Sequence, residues 1–193
     1  MIEVKEYSSA LAKDLFYFRR QVLEEGNDSL KSDKFDPDDL DGKIWCVYIN
    51  DTLASISVVE SSHYTGDPTI AARVCRYHIL KKFRHSHCGF RMLPYQIDWA
   101  KQQGYKILYW THDVKNRALN AMYQHKRKMI DPEAKKFFEA DWYKKLQFDK
   151  RWLFEVNTEI DFLQYVYYID LQNENYVWMP QKSVRWQKHN GDI

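Results

Sequence analysis

The sequence predicts a mixed α/β (α+β) domain, and three observations carry that expectation. Several stretches alternate apolar and polar residues or run as β-branched and aromatic blocks, the pattern of strands. Other stretches space their apolar residues three and four apart, the pattern of helices. In chain order they read β-α-β-β-β-α-β-α-(α)-β-β, so strands and helices interleave around a mixed sheet. A chain of 193 residues can bury a real core in one domain.

The elements follow in order. "IEVKEY" alternates and predicts a short strand. Ser8 or Ser9 then caps a helix whose stripe is Leu11, Leu15, Phe18 and Val22. "EEGNDSLKSDKFDPDDLDGK" is polar and rich in turn formers, hence a loop. "KIWCVYIN" and "LASISVVES" flank a short "NDT" turn and predict a hairpin. After a second turn, "SSHYTGDPTI", comes the strand "AARVCRYHIL". "GFRMLPYQIDWAKQQG" predicts a helix stopped by Gly104, with Pro94 bending it or marking an irregular first half. "YKILYWTH" is bulky throughout and predicts a central strand. "NRALNAMYQHKRKM" and "DPEAKKFFEADWYKKL" predict two further helices, the second with Asp131 near its cap and Pro132 in its first turn. "RWLFEVN" and "FLQYVYYIDL" predict the last strands, and an irregular aromatic tail follows.

Composition narrows the function classes. Apolar residues make up 45% and charged residues 29%, an ordinary globular balance. Aromatic residues reach 16%, and core filling is their default use. The net charge of +2 does not indicate a nucleic-acid binder, although "HILKKFRHSH" and "QHKRKM" are locally basic. Cys46, Cys75 and Cys88 follow no disulfide framework, which fits a reducing cytoplasm. The start "MIEVKEYSSA" lacks the apolar core of a signal peptide, and no stretch approaches the ~20 apolar residues of a membrane span. The expectation is a cytoplasmic protein without a membrane partner.

The densest chemistry lies in "FRHSHCGFRML", Phe83 to Leu93. His85, His87 and Cys88 are zinc-compatible donors, but no second pair stands at zinc-site spacing, and neither Cys75 nor His78 completes a pattern. No metal is expected. The alternative is a phosphate-gripping turn between the strand ending near Leu80 and the helix starting near Cys88. Consecutive backbone N–H groups at a helix start bind phosphate or pyrophosphate. Arg84 and Arg91 add positive charge, and Gly89 allows close backbone approach.

These residues resemble the GNAT (Gcn5-related) N-acetyltransferase family. "RHSHCG", Arg84 to Gly89, resembles the family's acyl-CoA turn R/Q-x-x-G-x-G/A at its arginine and last glycine. "ILKKFR" resembles the lead-in V-x-P-x-Y-R, and "NRALNAMY" resembles NxxAxxLY, with Asn116 and Tyr123 in place. The resemblance spans about residues 1–171 and implies the GNAT-like fold, a mostly antiparallel sheet whose parallel central strands splay apart between flanking helices. It implies an insertion at about 130–147, and leaves 172–193 as a C-terminal extension. Two departures stand out. His87 occupies the place of the family's first glycine. The terminal K-x-G-F is missing after Tyr123, and "WYKKLQF" offers something like it later, so Tyr143 competes with Tyr123.

The resemblance implies direct acyl transfer from acetyl-CoA, the co-substrate, to an amine. The cofactor-binding residues it implies are Ile79 and Leu80 on the strand, then Arg84, His85, Ser86, His87, Cys88, Gly89 and Phe90 in the turn. An N–H near Ile79 would polarise the thioester carbonyl. Asn116 would start its helix and meet the pantetheine arm, or act as a plain cap. Tyr123 would protonate the leaving thiolate, and Tyr143 reads as a core residue. An amine of pKa ~10.4 must also lose a proton. Glu60, His78 and His112 are candidate bases, water is an alternative to all three, and Cys75 as a nucleophile is remote.

The acidic loop "SDKFDPDDLD" is a solvated loop or an attractor for a cationic acceptor. With "FRRQVLEE" it resembles acyl-homoserine-lactone synthases, but "LASISVVES" lacks their arginine. The C-terminal region resembles phage-encoded acyltransferases, which would place the chain in a bacterial host. Two further classes compete with the enzyme. One is a GNAT-shaped binding or assembly protein using "NYVWMPQKSVRW" as a docking strand. The other is nucleic-acid association through "KKFRH" and "HKRK". The expected partners are acetyl-CoA and an amine-bearing acceptor, with oligomerisation open.

Overall fold

In the computed structural model, residues 1–26, 42–61, 70–124, 132–154 and 161–172 are described, together with Pro37. The acidic loop, most of the 61–70 turn, the "HKRK" cluster and the tail beyond Gln172 lie outside them. The strands are β1 (Ile2–Glu6), β2 (Gly42–Ile49), β3 (Thr52–Ser61), β4 (Ala71–Ile79), β5 (Ile107–Asp113), β6 (Gln147–Phe154) and β7 (Asp161–Asp170). They form one seven-stranded sheet in the order β1-β2-β3-β4-β5-β7-β6. The helices are α1 (Ala12–Glu24), α2 (Cys88–Gln102), α3 (Arg117–Tyr123), α4 (Pro132–Glu139) and α5 (Asp141–Lys144). The β4–β5 pair is parallel and covers only Ala71↔Ile107 to Arg73↔Tyr109. The β1–β2, β2–β3, β5–β7 and β6–β7 pairs are antiparallel.

The chain forms two compact units, Met1–Glu60 with Val74–Trp99, and Ser61–Arg73 with Ala100–Ile193. In the first, the expected stripe of α1 buries Leu15, Phe18 and Val22 against Ile44, Cys46 and Ile56. Alternation along β2 and β3 sends Val47 and Ala54 into a second cluster with Cys88 and Met92 of α2. The hairpin turns on Asn50 and Asp51, with φ of 47° and 60°. Two left-handed residues match the twist of a two-residue hairpin, so the loop is shorter than the "NDT" reading. At the far end, Gly42 pairs with Glu60. A Cβ on Gly42 would fall 2.0 Å from Val59 O, so only glycine fits between these strands.

α2 runs unbroken through Pro94, which takes a donor from the ladder without ending the helix. Gly104, with φ of 82°, lies just past its end, as a C-terminal glycine should.

In the second unit, β5 and β7 bury Ile107, Tyr109, Val166 and Tyr168 with Ala71. The expected helix over "DPEAKKFFEADWYKKL" splits at Ala140, whose ψ of 141° is extended. Asp141 in the first turn of α5 favours the restart. β6 begins at Gln147, four residues before the expected "RWLFEVN", because Gln147 to Lys150 already pair with Tyr168 to Tyr165. No helix of the described residues is long and apolar enough to cross a membrane.

Candidate active site

In the first unit, β4 leads into a short 3-10 turn at Lys81–Phe83 and then α2. The N–H of Leu80 bonds Ala54 O on β3 at 3.0 Å. Adjacent peptide groups in an extended strand point to opposite edges, so the N–H of Ile79 faces away from β3. Within the turn, the N–H of Arg84 bonds Lys81 O and that of Ser86 bonds Phe83 O. The first bond of α2 runs from Arg91 N–H to His87 O at 3.2 Å. Cys88, Gly89 and Phe90 therefore present their amides where a helix has no acceptor for them. Leu80, Arg84 and Ser86, expected among the cofactor-binding residues, have used their amides within the fold.

His87 has φ of 55°, in the left-handed region. A left-handed bend thus stands at the place of the motif's first glycine and is held by histidine, at a cost of about 1–3 kcal/mol. Arg84 and His85 are exposed. Arg91 Nε donates to Ser86 O at 3.2 Å, which folds its guanidinium back over the turn. Ser86 Oγ donates to Phe83 O and meets Cys88 Sγ at 3.0 Å. Burial pushes the buried Cys88 thiol up, so it stays protonated.

Beneath Gly89 lies Tyr77. A Cβ on Gly89 would sit 3.3 Å from Tyr77 Cζ and 3.4 Å from its hydroxyl. That hydroxyl takes a hydrogen bond from the Gly89 N–H and also meets Ser55. Ser55 Oγ in turn donates to His78 O at 2.7 Å. Burial, and then the neighbouring Cys88, raise the Tyr77 phenol, so it is neutral. Sequence reading missed Tyr77 and Ser55, because only the fold brings a strand tyrosine under the turn.

The candidate bases of this unit are tied or weakened. Glu60 accepts from Arg76 Nη1 at 3.0 Å and from Cys75 Sγ at 3.2 Å, and its side chain is 18% exposed. Arg76 has φ of 48° inside a strand, a second strained non-glycine position. Cys75 is thus a donor to a carboxylate. His78 is lowered to about 4 by burial, so its imidazole is neutral at pH 7 and a poor proton acceptor.

In the second unit, Asn116 caps α3 by accepting the Leu119 N–H at 3.3 Å. Among the described residues this cap is the one hydrogen bond its side chain makes. Tyr123 closes α3 among aromatic rings: Tyr167 at 5.0 Å, His112 at 5.2 Å and Trp110 at 5.4 Å between centroids. Burial lowers His112 to about 4. His112 Nε2 and Trp110 Nε1 are buried without a hydrogen-bond partner among the described residues. Tyr143 is 0% exposed and packs edge-on to Phe138 and Trp142, as a core tyrosine does. Asn120, Gln124 and Tyr167 form a buried hydrogen-bonded group that sequence reading did not single out. Its one signal was a second asparagine four residues after Asn116.

The comparisons agree with this architecture. The model of the acetyltransferase (GNAT) family matches residues 11–128. No curated protein matches the chain in sequence. Among solved structures, a GNAT-family acetyltransferase from Staphylococcus aureus Mu50 is similar at 17% identity and TM-score 0.56, covering 89% of this chain and 100% of that one. The yncA protein from Salmonella typhimurium, solved with its cofactor acetyl-CoA, gives 11% identity and TM-score 0.57 over 94% of this chain and 98% of its own. The ribosomal-protein-S18-alanine N-acetyltransferase from Escherichia coli gives 10% and 0.52, over 92% and 100%. Such identities speak for the fold alone, whereas the family model spans more than half of the sequence. This chain belongs to the GNAT acetyltransferase family.

Proposed function

We propose that the protein is an N-acyltransferase that moves an acetyl group from acetyl-CoA to a primary amine of a small molecule or protein by direct attack. One observation carries the reading. His87, where the family has glycine, still adopts the left-handed bend and delivers the start of α2. A left-handed residue at this place supports a turn of the kind the motif's glycine would make.

The residues present fit the co-substrate. The amides of Cys88 and Phe90, with the positive end of α2, suit a pyrophosphate, while the Gly89 N–H is held by the Tyr77 hydroxyl. Arg84 adds a solvent-facing cation. The N–H of Ile79, turned from β3, suits the developing oxyanion. The acceptor nitrogen forms a bond to the thioester carbonyl carbon, the C–S bond breaks, and the sulfur takes a proton from the Tyr123 hydroxyl. The nitrogen releases its own proton. Glu60 is held by Arg76 and Cys75, and burial weakens His78 and His112 as bases. These facts favour loss of the amine proton to water.

The reading places the GNAT-like domain over residues 1–171, with 130–147 as an insertion and 172–193 as an extension. It locates the protein in the cytoplasm. The test is a melting curve with acetyl-CoA. At a hundred times its dissociation constant, the ligand stabilises the fold by about 2.7 kcal/mol. A clear upward shift is expected. No shift at millimolar acetyl-CoA would replace the enzyme by a GNAT-shaped binding protein.

A further inference from the structure

α3 has seven residues, well short of the ~12–15 that an isolated helix needs. Something outside the helix must hold it, and the buried polar group beside it does so. Asn120 Nδ2 donates to Asp113 O at 2.9 Å and to Val114 O at 3.3 Å, pinning the helix to the end of β5. Asn120 Oδ1 accepts from the Tyr167 hydroxyl at 2.8 Å. That hydroxyl accepts from Gln124 Nε2 at 3.1 Å, just past the last residue of α3. Tyr167 stands on β7, paired with Trp110 of β5, and is fully buried. One strand hydroxyl thus meets side chains from both sides of Tyr123, at positions 120 and 124, while the Tyr167 ring lies 5.0 Å from the Tyr123 ring. Burial raises the Tyr167 phenol to about 12, so it keeps the proton it donates.

We propose that Tyr167 is a positioning residue for the acyl transfer: through Asn120 and Gln124 its hydroxyl clamps α3 and fixes the ring of Tyr123. The clamp rests on the proposed function only for its catalytic consequence. Satisfied buried networks specify one arrangement, and loss of one member leaves the others unpaired. Tyr167→Phe keeps the ring and removes only the hydroxyl.

Two readouts test this. The first is the ¹⁹F spectrum of 3-fluorotyrosine-labelled protein, with the Tyr123 signal identified by its loss in Tyr123→Phe. A shifted or broadened Tyr123 signal is expected in Tyr167→Phe, and again in Gln124→Ala, which serves if the first variant does not fold. An unchanged signal overturns the clamp, whatever the activity. The second is steady-state kinetics of the full chain. A fall in kcat of about 10- to 100-fold is expected, the usual cost of a misplaced catalytic group. The KM for acetyl-CoA should stay within about twofold, and the alkaline limb of the pH profile should move. Wild-type kcat and pH limb in Tyr167→Phe would overturn the positioning role. If millimolar acetyl-CoA does not shift the melting of wild-type protein, the proposed function fails, while the ¹⁹F readout still decides the clamp.

Discussion

The turn at 80–91 and the cluster around Tyr123 solve opposite problems. The turn is shaped by backbone: a left-handed residue and amides bonded within the bend set its course. There a histidine, at the place of the motif's glycine, takes a left-handed bend. The cluster works with side chains: a phenol, two carboxamides and packed rings, each tied to a partner of fixed shape. There the sequence keeps the asparagine and tyrosine of the family's motif. A bend set by dihedral angles tolerates sequence change, provided those angles can be met.

The comparison breaks most readily at Tyr123. Tyr123→Phe should cut kcat by about 100-fold, within the usual range for loss of a general acid. The KM for acetyl-CoA should change by less than about threefold. Steady-state thiol release measures both, and an unaltered kcat would return Tyr123 to the scaffold. Next is Gly89→Ile in the turn. Its Cβ would crowd Tyr77 at 3.3 Å and cover the helix end. The acetyl-CoA melting shift, worth about 2.7 kcal/mol at a hundred times the dissociation constant, should disappear while the variant still melts cooperatively. A retained shift would show that the backbone amides are not the ligand's partners.

Smaller effects sharpen the contrast. His78 and His112 are both held at about 4 by burial, below the ordinary imidazole value of 6.5. Between those values the unfolded chain binds protons that the folded chain refuses. Stability is therefore fully present above pH 6.5 and lost as pH falls towards 4. His112→Phe should flatten that acid-side loss in melting curves. It also removes a buried nitrogen with no hydrogen-bond partner among the described residues, a gain of about 1 kcal/mol at pH 7.5. Smallest is His87→Gly, which relieves the left-handed strain but loosens the unfolded chain, leaving a net gain of about 0.5–1 kcal/mol. A melting temperature lower than wild type would mean that the imidazole itself supports the turn.

Much of this was legible in the sequence, and the reasons are specific. Leu15, Phe18 and Val22 announced α1 because one helical stripe faces one core. Arg84, Gly89, Asn116 and Tyr123 announced the family because those residue types recur at that spacing. Three things were not legible. The amides already used at Leu80, Arg84 and Ser86 are set by local hydrogen bonding that no pattern encodes. The break at Ala140 has no Gly or Pro to mark it. Tyr77 and Tyr167 read as ordinary strand tyrosines, and only the folded register puts one under Gly89 and the other against Asn120.

Gly42 carries a quieter consequence. Nothing larger than hydrogen fits between it and the carbonyl of Val59. Its partner across the strands is Glu60, which holds Arg76 and Cys75. In a saturation library, position 42 should therefore come out nearly as intolerant as a reacting residue, although it reacts with nothing. Selection would be registering the spacing of two strands, and through it the seat of a carboxylate on the opposite strand.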